Sequence, residues 1–590
     1  MSDRMKPGAA MDTERLGLKK HKMSTATVVF MVFSLVAAGC YGIENMIPDA
    51  GPGLTLVMLM VLPFIWGLPF GLVAAELGSV RPQEGGYYKW VQEALGEFWG
   101  FQAGWWRTCS IYVDNALYVI LAGDYAASRW DVGPVGHYAI KVLMILVFMY
   151  INLRGVRDVG LVTNVLSIFV ILAFAMIAVI GFVNWNQNPF EPFTADVIES
   201  PADWIFYIGA GISVGMWMYS GYESMSTIAG ELEDPQVIPK ATLITVPLIM
   251  ATYILPTMAG LASMGRWEEW GEDPSAVGYA DVAITYLGDA AGLFFIIVAI
   301  VAQCSIYNTY IASGSRGFFA LAEDRLAPPF LVKVDKKYGV PYVAVISIAV
   351  VNLVLCLFDF ESIVVIDVFL LVASYIMVYV SAIILRKKIP ASEYKFRIPG
   401  GKGLLYAICV VPIIVAFASF LINGTDYFIG GMLGIISGPM LYFIWKKMYG
   451  GLSKKDPEAH PHNPRTGLAK NDLRRISAMF LILGVVGIVG HYFLPWYEGE
   501  WGPGYAVAVD EIGEDEASVL EEYPELSSEL TEKNGLSDGS VWIPGYYETE
   551  YETGFFADWH LMLSVIWAAT TVCLMIAVVL AFAARKLEND

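Results

Sequence analysis

Charge is scarce in this chain. Of its 590 residues, 16% are charged and 56% are hydrophobic. Soluble globular domains carry about 25% charged residues, so an ordinary soluble fold is excluded. Cysteine is also sparse. The six cysteines (Cys40, Cys109, Cys304, Cys356, Cys409 and Cys573) fall inside apolar runs with no paired spacing. Neither a disulfide framework nor a zinc site is indicated. Histidine numbers six, and His460 and His462 merely flank a proline in a polar stretch. Residues 1–23 have no apolar core before a cleavage site, so no signal peptide is expected. No nucleophile–base pair, metal cluster or cofactor loop is present. The chain is not expected to be an enzyme, and no cofactor, metal or nucleic-acid partner is expected.

What the chain does have is long apolar runs. Fourteen recur, near 24–47, 53–76, 98–127, 138–153, 159–183, 203–230, 240–264, 290–313, 340–358, 362–386, 404–422, 427–446, 474–495 and 557–584. Each is long enough to cross about 30 Å of hydrocarbon as a helix. With the N-terminus placed inside, the inner loops collect the basic residues: Arg81 and Lys89, Arg154 and Arg157, Lys240, Lys333 to Lys337, Arg386 to Lys388, and Lys446 to Arg475. Outer loops carry little beyond Arg129, Arg266 and Lys533. This positive-inside pattern predicts a multi-pass membrane protein with both termini in the cytoplasm; the plasma (inner) membrane is the expected location. The net charge of −20 is mostly local. Glu498 to Glu552 hold sixteen Asp or Glu and one Lys. A solvated acidic outer loop is expected there, and attraction of cations to the outer mouth is the sharper reading.

Four carboxylates interrupt the apolar runs: Glu44, Asp114, Glu223 and Asp367. One basic residue, Arg107, lies comparably deep. A charge at mid-bilayer costs roughly 2.5–3.5 kcal/mol on insertion scales, so each acid needs a partner or a task. Glu223 has no basic partner nearby in sequence. Arg107 and Asp114 share one helix face two turns apart, too far for a direct bridge, and Asn115 and Tyr118 lie on the same side as Asp114. The first and sixth runs are rich in glycine beside their acids: Gly39-Cys40-Tyr41-Gly42 before Glu44, and Gly209, Gly211, Gly215 and Gly221 before Glu223. Interrupted helices at matching places in two halves point to an inverted repeat with its site at the midplane. The expected fold is an all-α polytopic membrane protein. Its core is a 5+5 inverted repeat with helices one and six broken, within about fourteen spans. The expected organisation is a tail at 1–23, a core at 24–386, helices eleven and twelve at 387–446, and a mobile linker at 447–473. Two extra helices at 474–590 enclose the acidic loop 496–556, where periodicity is too weak to assign elements.

Ordered motifs carry a resemblance. They are Ala75-Glu76-Leu77-Gly78 with Pro82-Gln83-Glu84-Gly85-Gly86-Tyr87, Asn152-Leu153-Arg154-Gly155, Gly230-Glu231-Leu232-Glu233-Asp234-Pro235, Ser315-Arg316 with Glu323-Asp324-Arg325-Leu326-Ala327-Pro328, and Tyr394-Lys395-Phe396-Arg397-Ile398-Pro399. Across about 25–450 the chain resembles the amino acid–polyamine–organocation superfamily, whose core is the LeuT-like inverted repeat. Tyr41-Gly42-Ile43-Glu44-Asn45, Ala50-Gly51-Pro52, Phe98-Trp99-Gly100-Phe101-Gln102 and Asp114-Asn115-Ala116-Leu117-Tyr118 are similar to its plant and protozoan polyamine-uptake branch. Departures exist. Val119 stands where that branch has proline, and Asp367 where it has Glu-Asn. Amino-acid-binding members carry a small-residue element in helix one that admits a carboxylate; Cys40 and Tyr41 stand there. Some proton-coupled members carry a helix-five lysine, where this chain has Val170.

The resemblance and the acids together imply a secondary active transporter of small organic cations, chiefly polyamines, working by alternating access with H+ as the coupling ion. Expected substrate-binding residues are Tyr41, Gly42, Glu44, Asp114, Tyr118, Trp217, Gly221, Tyr222, Glu223 and Asp367, with Glu223 as the coupling candidate. An amino-acid permease of the same superfamily is the second reading. A membrane nutrient sensor on a transporter fold is the third.

Overall fold

The computed structural model describes residues 18–37, 40–130, 132–198, 201–270, 278–358, 360–499, 502–536, 539–551 and 554–587. Among them, ten helices are long and apolar enough to cross a membrane. These correspond to ten of the fourteen expected spans; the first, third, sixth and ninth are the ones outside this set. The first is a 12-residue helix, Thr25–Val36, followed after a turn by Ile43–Ala50. The sixth is Pro201–Met218, which resumes as a 3-10 segment at Ser224–Glu231. The third, Glu97–Arg129, is long at 33 residues but carries Arg107 and Asp114 within it. The ninth, Tyr342–Leu355, is apolar but only 14 residues long.

The chain divides into two compact units. The first comprises Met1–Phe417 and Gly434–Lys470. In it Glu97–Arg129 packs against Asp289–Glu323 and Phe360–Lys388, and Thr25–Val36 packs against Val156–Val183 and Val237–Met264. A helix that stops in an apolar interior leaves its last carbonyls without partners. Tyr253 answers this for both breaks. Its hydroxyl lies 3.1 Å from the Val36 carbonyl and 3.0 Å from the Met218 carbonyl, and is shared between the two. The Gly221 N–H, freed by the second break, donates to the Tyr375 hydroxyl at 2.7 Å.

Gly221 has φ +110°. A Cβ there would lie 2.2 Å from the Leu35 carbonyl oxygen and 2.8 Å from the Tyr310 hydroxyl. The left-handed backbone and the contact both require glycine. Gly221→Ala is therefore expected to yield little monodisperse protein on size exclusion in detergent, whereas Ala at the neighbouring Ser220 should remain well behaved. Normal yield of a stable Gly221→Ala protein would contradict this account of the break.

The sequence motifs converge at one end of this unit. Gly86 faces Ser226 so closely that a Cβ would overlap its hydroxyl. Arg316 pairs with Glu231 at 2.6 Å. Glu84 accepts the Gly230 N–H at 3.1 Å, and burial and then the nearby Glu231 carboxylate push the Glu84 carboxyl well above its usual range. Glu76 pairs with Arg386 and accepts the Ile398 N–H. The linker expected to be mobile starts firmly anchored: Lys446 pairs with Glu97 at 2.6 Å, and Lys455 reaches Glu323 and Asp324 at 2.8 Å each. Burial works against ionisation of Asp324, but Lys89 and Lys455 outweigh it and hold the carboxyl well below the usual carboxylate range. In the twelfth span, Gly434 faces Leu370 and Gly438 faces Gln102 and Trp106, so these small residues serve packing inside the chain.

The second unit comprises Ala418–Leu433 and Asn471–Asp590. Asp472–Tyr497 and Trp559–Leu587 form an extensive helix pair. Gly484 faces Leu574 and Gly487 faces Thr570, which lets the two backbones approach. The acidic loop is structured. Tyr505–Ala508 pairs antiparallel with Ser540–Ile543, and helices Glu514–Glu522 and Pro524–Lys533 lie between them in sequence. Glu498 is buried and accepts the Thr425 N–H at 2.8 Å, the Tyr547 hydroxyl at 2.5 Å and the Trp559 indole N–H at 3.1 Å. A side-chain carboxylate thus satisfies the N-terminus of the helix that begins at Thr425.

Candidate functional site

A buried cavity lies where the two breaks meet. Its polar and aromatic walls are Tyr41, Asp114, Tyr118, Trp217, Gln303 and Tyr310, with Val36, Met218, Ser220, Tyr253, Ile306 and Leu371 completing the lining. The free volume is about 20 Å³. That is room for about one water, so the walls must part before an organic molecule can enter.

Each wall residue is placed by a separate element. The Trp217 indole N–H, from the end of Pro201–Met218, donates to Asp114 Oδ1 at 3.2 Å. Tyr118, one turn beyond Asp114, stacks on Trp217 and on Tyr310, both at 5.9 Å between centroids. Tyr41 stands in the turn of the first break, its ring edge-on to Tyr125 at 5.4 Å and Phe174 at 5.1 Å. A Cβ on Gly42 would sit 3.3 Å from the Trp217 ring. The Gln303 amide oxygen is buried with no hydrogen-bond donor among the described residues. None of the lining residues is Lys or Arg. The cavity therefore presents acceptors and aromatic faces and offers no fixed positive charge.

Beside the cavity runs a charged network. Arg107 Nε donates to Glu223 Oε1 at 2.5 Å, and both side chains are fully buried. Arg107 also reaches Ser224 at 3.1 Å and Ser110 at 2.8 Å. The Tyr375 hydroxyl donates to Glu223 Oε2 at 2.6 Å. The Ser110 hydroxyl donates to Asp367 Oδ1 at 2.5 Å. The guanidinium lies 5.7 Å from the Tyr310 ring centroid and 6.0 Å from that of Tyr375.

Four of the ten expected site residues line the cavity: Tyr41, Asp114, Tyr118 and Trp217. Gly42 and Gly221 form the breaks around it. Glu223 has the basic partner that sequence proximity did not reveal, because Arg107 is 116 residues away in the chain. Asp367 joins the network but not the cavity lining. Glu44 is buried elsewhere, accepting the Tyr279 N–H at 3.4 Å and a hydrogen bond from Tyr125. Tyr222 is buried, its hydroxyl has no hydrogen-bond partner among the described residues, and its ring faces Gly71 rather than the cavity. Tyr310, Gln303, Tyr375 and Ser110 were not anticipated. A tyrosine or glutamine in a long apolar helix gives no sign in sequence of which neighbour it will meet.

Two helices that break against each other at a buried polar site, in an integral multi-pass membrane protein, define a membrane transporter. The amino acid permease family matches residues 23–444, and the chain belongs to that family. A probable polyamine transporter of Arabidopsis thaliana is 31% identical over 406 residues, covering 68% of this chain and 79% of that one. Polyamine transporter PUT1 of Oryza sativa subsp. japonica is 30% identical over 442 residues, covering 72% and 80%. The serine/threonine exchanger SteT of Bacillus subtilis (strain 168) is 27% identical, covering 74% and 99%. Among solved structures, MhsT in complex with L-phenylalanine matches with TM-score 0.53 at 14% identity, covering 69% of this chain and 100% of that one. That likeness concerns the fold, the 5+5 inverted-repeat core.

Proposed function

We propose that this chain moves small organic cations of the di- and polyamine class across the plasma (inner) membrane by alternating access, driven by protons, with both termini in the cytoplasm. One observation carries the substrate class. Asp114 and the unpartnered Gln303 oxygen face an aromatic cavity that has no basic side chain. An ammonium supplies the donor that the Gln303 oxygen lacks and the counter-charge for Asp114, whose Oδ1 already accepts the Trp217 indole N–H. Its methylenes fit between the faces of Tyr118, Trp217 and Tyr310, where each cation–π contact is worth about 0.5–2 kcal/mol. A substrate α-carboxylate would meet Asp114 and Tyr41 with no cation to hold it. The names of the plant relatives support the same class.

The test is competition for labelled putrescine uptake into proteoliposomes by unlabelled putrescine, spermidine, ornithine, arginine and alanine. Putrescine is expected to compete at least about tenfold better than its carboxylated relative ornithine, a difference of roughly 1.4 kcal/mol. Stronger competition by ornithine, arginine or alanine would replace the polyamine reading with that of an amino-acid permease. Saturable binding without accumulation would make the chain a sensor.

A further inference from the structure

Three buried acids lie close together, and two of them meet a source of positive charge. Glu223 is held by Arg107 and by the Tyr375 hydroxyl. Asp114 lines the cavity, where a substrate cation can neutralise it. Asp367 has neither. It is fully buried and does not line the cavity. Its Oδ1 takes one hydroxyl, from Ser110, and its Oδ2 has no hydrogen-bond partner among the described residues. A carboxylate with a bare oxygen in a low-dielectric interior is costly, and binding a proton removes that cost.

The surrounding titratable groups are already engaged. On Glu97–Arg129, Arg107 is committed to Glu223, and Asp114 and Tyr118 face the cavity. On Gly86–Leu95, Tyr87 bonds Thr108, while Tyr88 and Lys89 bond Asp324. Glu76 of Leu68–Val80 is paired with Arg386. None of them bonds Asp367 directly: Arg107 lies within electrostatic reach of it, but its ion pair is with Glu223.

We propose that Asp367 is the group that takes up and releases the coupling proton, an inference that rests on the transport reading above and names where its driving ion acts. The network also gives the proton a route to the gate. Asp367 holds Ser110, Ser110 accepts from Arg107, Arg107 holds Glu223, Glu223 accepts from Tyr375, and Tyr375 accepts the free N–H of Gly221 at the break in helix six. A proton on Asp367 weakens the first link by turning an ionic acceptor into a neutral one. Arg107 and the break then feel the change through hydrogen bonds alone.

The full chain in proteoliposomes provides the test, with labelled putrescine and an inside-alkaline gradient of one pH unit. Such a gradient can support up to about a tenfold difference in accumulation for one proton per substrate, since one pH unit is a tenfold ratio. The wild-type ratio of uptake with and without the gradient should be well above one. Asp367→Asn should bring it to about one, and Asp367→Glu should restore gradient dependence with a displaced pH midpoint. In parallel, infrared difference spectra across a pH titration should show a protonated-carboxyl carbonyl band that is missing from Asp367→Asn. The infrared arm needs no substrate, so it decides the proton site even if putrescine proves not to be transported. If Asp367→Asn fails to fold, the Asp367→Glu midpoint decides: a wild-type midpoint overturns the proposal. Retained gradient dependence in Asp367→Asn, an unchanged carbonyl band, or loss of the gradient effect in Glu84→Gln alone would also overturn it.

Discussion

Glu223→Gln is expected to destabilise the protein as well as stop transport. The substitution leaves the Arg107 guanidinium buried without its counter-charge. Breaking a buried ion pair from one side costs about 3–5 kcal/mol, much of it the penalty of the stranded charge. The double variant Arg107→Met with Glu223→Gln removes both charges and should recover most of that loss, because a neutral pair of similar volume has no stranded charge to solvate. Thermal unfolding in detergent reads both effects, and proteoliposome uptake reads function. The expected pattern is a low midpoint for the single variant, a recovered midpoint for the double, and transport by neither. A single variant as stable as wild type would mean that the pair is open in solution and that Glu223 is free to meet substrate.

Asp114→Asn should weaken substrate binding with little effect on stability. The amide oxygen can still accept the Trp217 indole N–H, so the wall of the cavity stays satisfied. The loss is the ionic part of one contact to the substrate ammonium. Hydrogen bonds to charged groups are worth about 1.5–3 kcal/mol, which is roughly a 10- to 150-fold rise in Kd. Equilibrium binding of labelled putrescine to purified protein measures it. An unchanged Kd would place the ammonium elsewhere, and the Gln303 side of the cavity would then be the next place to substitute.

The broad architecture could be read from the chain because its causes are local. Apolar length gives the spans, and glycine beside an acid marks a break; Gly42 and Gly221 both adopt positive φ where the helices stop. In the Gly85-Gly86 motif, Gly86 has no room for a side chain because Ser226 presses on it. The length of continuous helix was less predictable, since the first span is cut to 12 residues by its own turn. The site was readable only in part. Asp114 stands out as an acid within an apolar run, with Tyr118 on its face, and Trp217 as an aromatic beside a break. The partnership of Arg107 with Glu223 and the approach of Ser110 to Asp367 depend on how three distant helices pack, and no periodicity within one helix encodes that. For the same reason the four deep acids looked alike in sequence, although packing gives them four different surroundings.

The Glu498 carboxylate has a consequence for anyone who wishes to trade parts between this chain and a shorter relative. It is seated on Thr425, and Gly490 closes on the Phe428 ring. Residues 418–433 therefore travel with the C-terminal helices, although more than forty residues separate Phe428 from the first of them. A splice placed in the polar stretch near 470 looks natural on the page, but it would divorce Thr425 from its acid and strip Phe428 of its glycine seat. A graft that keeps the module whole must carry two pieces of chain, 418–433 and 471–590, and the receiving protein must rejoin its own eleventh and twelfth spans around the first of them.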